Sequence, residues 1–106
     1  MPKYLVQANY VGEGIKGLLK EGGSSRRAVV EKLIDSMGGS LESMYYAFGE
    51  TDLFMIADMP DNSSMAAAVL LACSSGAITA KTTVLMTPEE VDEAAKKTPI
   101  YSPPGH

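Results

Sequence analysis

The sequence predicts one α+β domain in the order strand, helix, two strands, helix, strand. Three observations predict it. Four segments rich in β-branched and aromatic residues fall at 3–10, 40–48, 52–58 and 77–86. Two apolar stretches with helical character lie between the first and second and between the third and fourth of these, each closed by glycine. The length of 106 residues accommodates one hydrophobic core, not two.

The first strand, Lys3 to Tyr10, alternates cleanly: Tyr4, Val6, Ala8 and Tyr10 share an apolar face, while Leu5, Gln7 and Asn9 make a mixed opposite face. Residues 13–21 place Ile15, Leu18 and Leu19 at helical spacing, but Gly12, Gly14 and Gly17 each cost about 1 kcal/mol of helix preference relative to alanine, which predicts only a short turn. After Gly22-Gly23, Ser24 and Ser25 offer caps for a stronger helix with Val30, Leu33, Ile34 and Met37 on one stripe, stopped by Gly38-Gly39. Residues 40–48 and 52–58 read as a hairpin joined tightly through Gly49-Glu50-Thr51. Pro60 ends the third strand, Asp61, Asn62 and Ser63 supply caps, and the alanine-rich run from Met65 to Cys73 reads as a buried helix closed by Ser74-Ser75-Gly76. Residues 77–86 make the fourth strand. Thr87-Pro88-Glu89-Glu90 then opens a last helix, with a capping threonine, proline at the first helical position and acids facing the positive end of the dipole. That helix extends to about Lys97, giving a domain over 1–98 and an extended proline-rich arm over 99–106.

A βαββαβ order with its helices segregated to one side of an antiparallel sheet is the ferredoxin-like arrangement. Two helices cover one face of such a sheet and leave the other to water, a ligand or another chain. Parity along the strands suggests Leu5, Gln7 and Asn9, then Met44, Tyr46 and Phe48, then either parity of the third strand, then Thr79, Lys81, Thr83 and Leu85 on that second face. A surface so rich in methionine and aromatic side chains is larger than soluble monomers usually expose, which predicts a homodimer or higher homo-oligomer with sheets paired face to face. Gln7, Asn9, Lys81 and the threonines would then line a barrel-like interior.

Composition excludes several classes. A net charge of −4 weighs against nucleic acid and anionic membrane surfaces, and the one basic cluster, Arg26-Arg27, reads as a solvated helix start, with phosphate binding beside Ser24 and Ser25 at a helix N-terminus as the alternative. The Met-Pro-Lys-Tyr opening has no leader pattern and no segment approaches a membrane span, so a cytoplasmic location is expected. Cys73, the only cysteine, sits among Ala-Val-Leu-Leu-Ala and reads as a small core residue. His106 is the only histidine, so neither a metal site nor a histidine-activated nucleophile is expected, and no cofactor is called for. Acid and base chemistry is left to Asp52, Tyr10, Tyr45, Tyr46 and Lys81. Asp52 beside a hairpin turn also fits a turn-stabilising acceptor. Lys81, mid-strand among threonines, must reach water or pair with an acid: on a solvated edge it protects the sheet, and pointing into the barrel it would hold an anionic substrate or product. Two functions follow. One is a binding or assembly module with a small-molecule ligand held by Gln7, Asn9 and Lys81. The other is a cofactor-independent enzyme in which Asp52 or Tyr46 moves a proton on a small anionic or aromatic substrate.

The pairs Lys3-Tyr4 and Asn9-Tyr10, the run Gly17-Leu18-Leu19-Lys20 with Gly22-Gly23, the hairpin Phe48-Gly49-Glu50-Thr51-Asp52, the Pro60-Asp61 step, Lys81-Thr82-Thr83 and Leu85-Met86-Thr87-Pro88-Glu89-Glu90 together make the chain similar to the bacterial GYD-domain family over nearly its whole length. The resemblance implies a fold of the dimeric α/β-barrel type and no agreed activity, related barrels including isomerases, cofactor-independent monooxygenases, dechlorinating enzymes and proteins without known chemistry. The glycine, tyrosine, aspartate motif of that family falls on Gly49, Thr51 and Asp52. With threonine in the tyrosine's place, the resemblance carries over the turn role of Gly49 and the acid or cap role of Asp52, and no aromatic role.

Overall fold

The computed structural model describes residues 1–106. Eight elements follow in order: β1 (Lys3–Tyr10), α1 (Glu13–Glu21), α2 (Gly23–Ser36), β2 (Ser40–Tyr46), β3 (Leu53–Asp58), α3 (Asn62–Cys73), β4 (Ile78–Leu85) and α4 (Pro88–Ala95). The four strands form one antiparallel sheet in the order β2-β3-β1-β4, the ferredoxin-like arrangement that the sequence predicts. In one chain the sheet is open and does not close into a barrel.

The alternation in β1 sets the two faces. Tyr4, Val6, Ala8 and Tyr10 are buried beneath α1, α2 and α3, where Ile34, Leu53, Ala57, Met59, Met65 and Ala68 complete the core. The Tyr4 phenol donates to Asn62 Oδ1, fixing the start of α3 on β1. Asp61 caps that helix, its Oδ1 accepting the Ser64 amide at 2.8 Å, as the Asp-Asn-Ser run predicts.

The segment after β1 is a full helix rather than a short turn. Gly14 lets α1 lie close to the residue that leads into β4: it is buried, and a Cβ there would run into the Ala77 carbonyl, whereas Gly17 has open space around it. A helix preference lost at glycine is offset by an approach that only glycine permits. The capping serines are also not used as expected. α2 begins earlier than those caps would allow, at Gly23, with Gly22 as its cap and no side-chain cap bond. It stops where Gly38 takes a positive φ of 82°.

The hairpin departs from the simple parity reading. Ser40 and Leu41 pair with Asp58 and Ala57, but Ser43 pairs with Ile56, so Glu42 is an extra residue in β2. Such a bulge reverses the side to which every following side chain points. Met44 and Tyr46 therefore pair with Met55 and Leu53 on the helix side, and Tyr45 pairs with Phe54 on the open side. Met44 and Tyr46 are thus not on the uncovered face, and Phe48 lies beyond the strand in a connection running from Ala47 to Asp52, fully exposed.

α4 is built as its sequence predicts. Thr87 Oγ1 accepts the Glu90 amide at 3.1 Å and Glu90 Oε1 accepts the Thr87 amide at 3.1 Å, a reciprocal capping box with Pro88 in the first turn. Yet every residue from Met86 to His106 is exposed, including Val91, Ile100 and Tyr101. No helix is long and apolar enough to cross a membrane.

Candidate functional site

The face of the sheet away from the helices follows from the register. Leu5 pairs with Ile56 and Thr83, Gln7 with Phe54 and Lys81, and Asn9 with Thr79. Paired residues of an antiparallel ladder share a face, so β1 and β4 present Leu5, Gln7, Asn9, Thr79, Lys81, Thr83 and Leu85 together. Ile56, Phe54 and Tyr45 extend the surface towards the β2 edge.

Charge divides this face into two ends. At one end Lys3 Nζ donates to Glu42 Oε1 at 2.9 Å and to Asp58 Oδ1 at 3.0 Å. The Glu42 and Asp58 carboxylates hold the Lys3 ammonium above its ordinary range, so this cation is satisfied within the chain. The bulged Glu42 is one of its two partners.

At the other end Gln7, Asn9, Thr79 and Lys81 line a polar pocket of about 230 Å³, with Ala80 and the hairpin residues Glu50 and Thr51. The structure brings together all three ligand-binding candidates read from the sequence. Lys81 makes no ion pair, in contrast to Lys3, and Gln7 makes no side-chain hydrogen bond within the chain. The pocket thus offers an ammonium, a primary amide and two hydroxyls, with the Glu50 carboxylate at its rim.

Asn9 and Asp52 hold the rim in place. The Asp52 amide donates to Asn9 Oδ1 at 2.8 Å and to the Ala8 carbonyl at 3.1 Å, while Asp52 Oδ2 accepts the Tyr10 amide at 3.0 Å. The Asp52 carbonyl in turn accepts the Ala47 amide at 2.8 Å. Three of these bonds tie the end of the hairpin connection to β1 and the fourth closes the connection on itself, and together they set Glu50 and Thr51 beside Gln7 and Lys81. Tyr46, the other proton-transfer candidate, is not brought to this pocket. It lies on the helix face, where its phenol donates to the Gly23 carbonyl at 3.1 Å. Burial, then the neighbouring Tyr10 phenol, pushes its pKa up to about 12.

Glu50, Thr51 and Thr79 were not singled out as ligand candidates by sequence reasoning. Thr79 was legible as an open-face position through its parity. Glu50 and Thr51 lie in a connection, and only the backbone clamp through Asp52 brings them over the β1–β4 rungs.

A family model, the GYD domain, matches residues 4–95, all eight elements from the first strand to the end of α4. The chain belongs to the GYD-domain family. Comparison with solved structures returns the NE2512 protein of unknown function from Nitrosomonas europaea, 14% identical, with 94% of this chain and 96% of that chain covered and a TM-score of 0.44. No curated protein matches the chain. In this GYD-domain protein Thr51 is one of the pocket residues, and Asp52 is the clamp that places it.

Proposed function

We propose that this GYD-domain protein is a homo-oligomeric module that binds a small carboxylate in the pocket of Gln7, Asn9 and Lys81, with a second copy roofing the site. The observation that carries the reading is the unpaired Lys81 ammonium beside unused amide and hydroxyl groups, at the polar end of a face whose other lysine is already neutralised. An ammonium without a fixed partner suits an anionic ligand, and the threonines and Gln7 supply the donors that orient it.

The second copy is supported by area. The chain exposes 7382 Å², whereas a compact monomer of its mass exposes about 5,700 Å². The excess of roughly 1,700 Å² exceeds the ~800 Å² per partner that a stable interface usually covers. Phe54, Ile56, Tyr45, Leu5 and Leu85 supply an apolar seam beside the polar pocket. A pocket of 230 Å³ is small for a ligand site while it is open, and a facing sheet would enclose it.

Binding is favoured over turnover because neither proton-transfer candidate is free at the pocket. The Asp52 carboxylate is engaged with the Tyr10 amide and Tyr46 lies on the opposite side of the sheet. Ligand-observed NMR with a set of small carboxylates, on the wild type and on Lys81→Met, tests this reading. Binding is expected to weaken by about tenfold or more in the variant while its oligomeric state is unchanged. Unchanged binding would remove Lys81 from the site.

A further inference from the structure

The opposite side of the sheet carries a second and larger opening. α2 and α3 lie apart rather than against each other, and an apolar cavity of about 450 Å³ lies between them. Val6, Ala8 and Met55 of the sheet floor it, and Val30, Ala68 and Val69 of the two helices wall it. Nineteen of its twenty-five surrounding residues are hydrophobic, so an occupant must be largely apolar, and the volume lies within the range of small-molecule sites.

Arg26 supplies the polar end. It lines the cavity from the first turns of α2 with its side chain 23% exposed. Its one ionic partner is Glu21, at 3.6 Å, longer than a hydrogen bond, and the guanidinium has no side-chain or backbone acceptor in the chain. Arg27, next to it, instead spends its Nε on Glu31 at 3.0 Å. A half-buried guanidinium with five unspent donors beside an apolar cavity calls for a planar acceptor, and a carboxylate matches its fork. The acids at the rim are already balanced: Glu13 pairs with Lys16 at 3.2 Å and Glu21 with Arg26. An incoming carboxylate joins Glu21 on one cation instead of meeting an unpaired like charge.

We propose that this cavity binds a medium-chain aliphatic carboxylate, its chain between α2 and α3 over Val6, Ala8 and Met55 and its head group on the Arg26 guanidinium. The site is separate from the Lys81 pocket, from which the sheet divides it, so either assignment can fail without the other.

The test is isothermal titration of the full chain with decanoate, kept below micelle formation, and with decanol. The wild type is expected to bind decanoate saturably and about tenfold or more tightly than decanol. Arg26→Gln is expected to remove that preference, and Ala68→Phe, which fills the cavity, to remove binding of both. Lys81→Met is expected to bind decanoate as the wild type does. Absence of saturable decanoate binding would overturn the proposal, as it would if a second copy's chain filled the cavity. Equal affinity for decanoate and decanol would overturn it too, as would an Arg26→Gln variant that binds like the wild type, or a loss confined to Lys81→Met. Arg26 is partly exposed and its replacement leaves the core untouched, so that arm does not depend on whether Ala68→Phe folds.

Discussion

Asp52 works through the backbone. Its carboxylate receives the Tyr10 amide and its amide is shared between Ala8 and Asn9, so the residue joins the hairpin connection to the end of β1. Replacing it by alanine leaves a half-buried Tyr10 amide without its acceptor, and Asp52→Ala is expected to lower unfolding free energy by about 1–3 kcal/mol in urea titration. An unchanged midpoint would show that the clamp contributes nothing. Tyr46 gives a second residue-scale prediction. Its folded pKa is raised from 10.0 to about 12, so the folded state holds the phenolic proton more tightly than the unfolded state does. The sign follows from linkage: between pH 10 and about 12 the unfolded chain has fewer bound protons, and stability falls as pH rises through that window. The tyrosinate absorbance should retain a component titrating near 12 that Tyr46→Phe lacks. At this scale the sequence was informative where a side chain's parity was unbroken. Gln7, Asn9 and Lys81 meet because β1 and β4 pair without irregularity, whereas the side occupied by Tyr46 depends on a bulge.

Among the elements, β2 and α4 carry the less obvious lessons. The bulge at Glu42 reverses the orientation of Met44, Tyr45 and Tyr46, and it also brings a carboxylate to Lys3. Its cause is tertiary pairing with β3, and alternation within the strand does not reveal it. α1 is similar, since Gly14, which weakens it locally, serves a close approach to Ala77 at the entry to β4 that no window of sequence contains. α4 presents the reverse case. Its threonine, proline and glutamates make its start plain in the sequence, and the helix forms with both capping bonds in place. A helix of eight residues is far below the length that is stable alone, however, and this one buries none of its residues against its own chain. Under the proposed assembly its cover comes from the second copy. A variant ending at Met86 is therefore expected to keep the circular dichroism of the sheet body and to associate more weakly than the full chain. Unfolding of the truncated body would mean that α4 supports its own chain instead.

For the whole molecule the dimensions make the same point. The chain has a radius of gyration of 17.1 Å and extents of 57 × 32 × 23 Å, against about 13 Å for a compact domain of this length. Its core is confined to the space between the sheet and three helices, with eleven buried residues in all. The fold class was legible because strand and helix segments alternate with clear punctuation and because the order βαββαβ admits few arrangements. The uncovered face was legible as a consequence of that order, although its aromatic and methionine content was partly misplaced by the bulge. The helix-side cavity was not legible, since the spacing between α2 and α3 depends on packing rather than on either helix's own pattern. Under the proposed assembly the open face is completed by another copy of the chain. Static light scattering of the purified protein at micromolar concentration measures it most directly. A mass of two chains or more is expected, and a mass of one chain would mean that the open face stays uncovered.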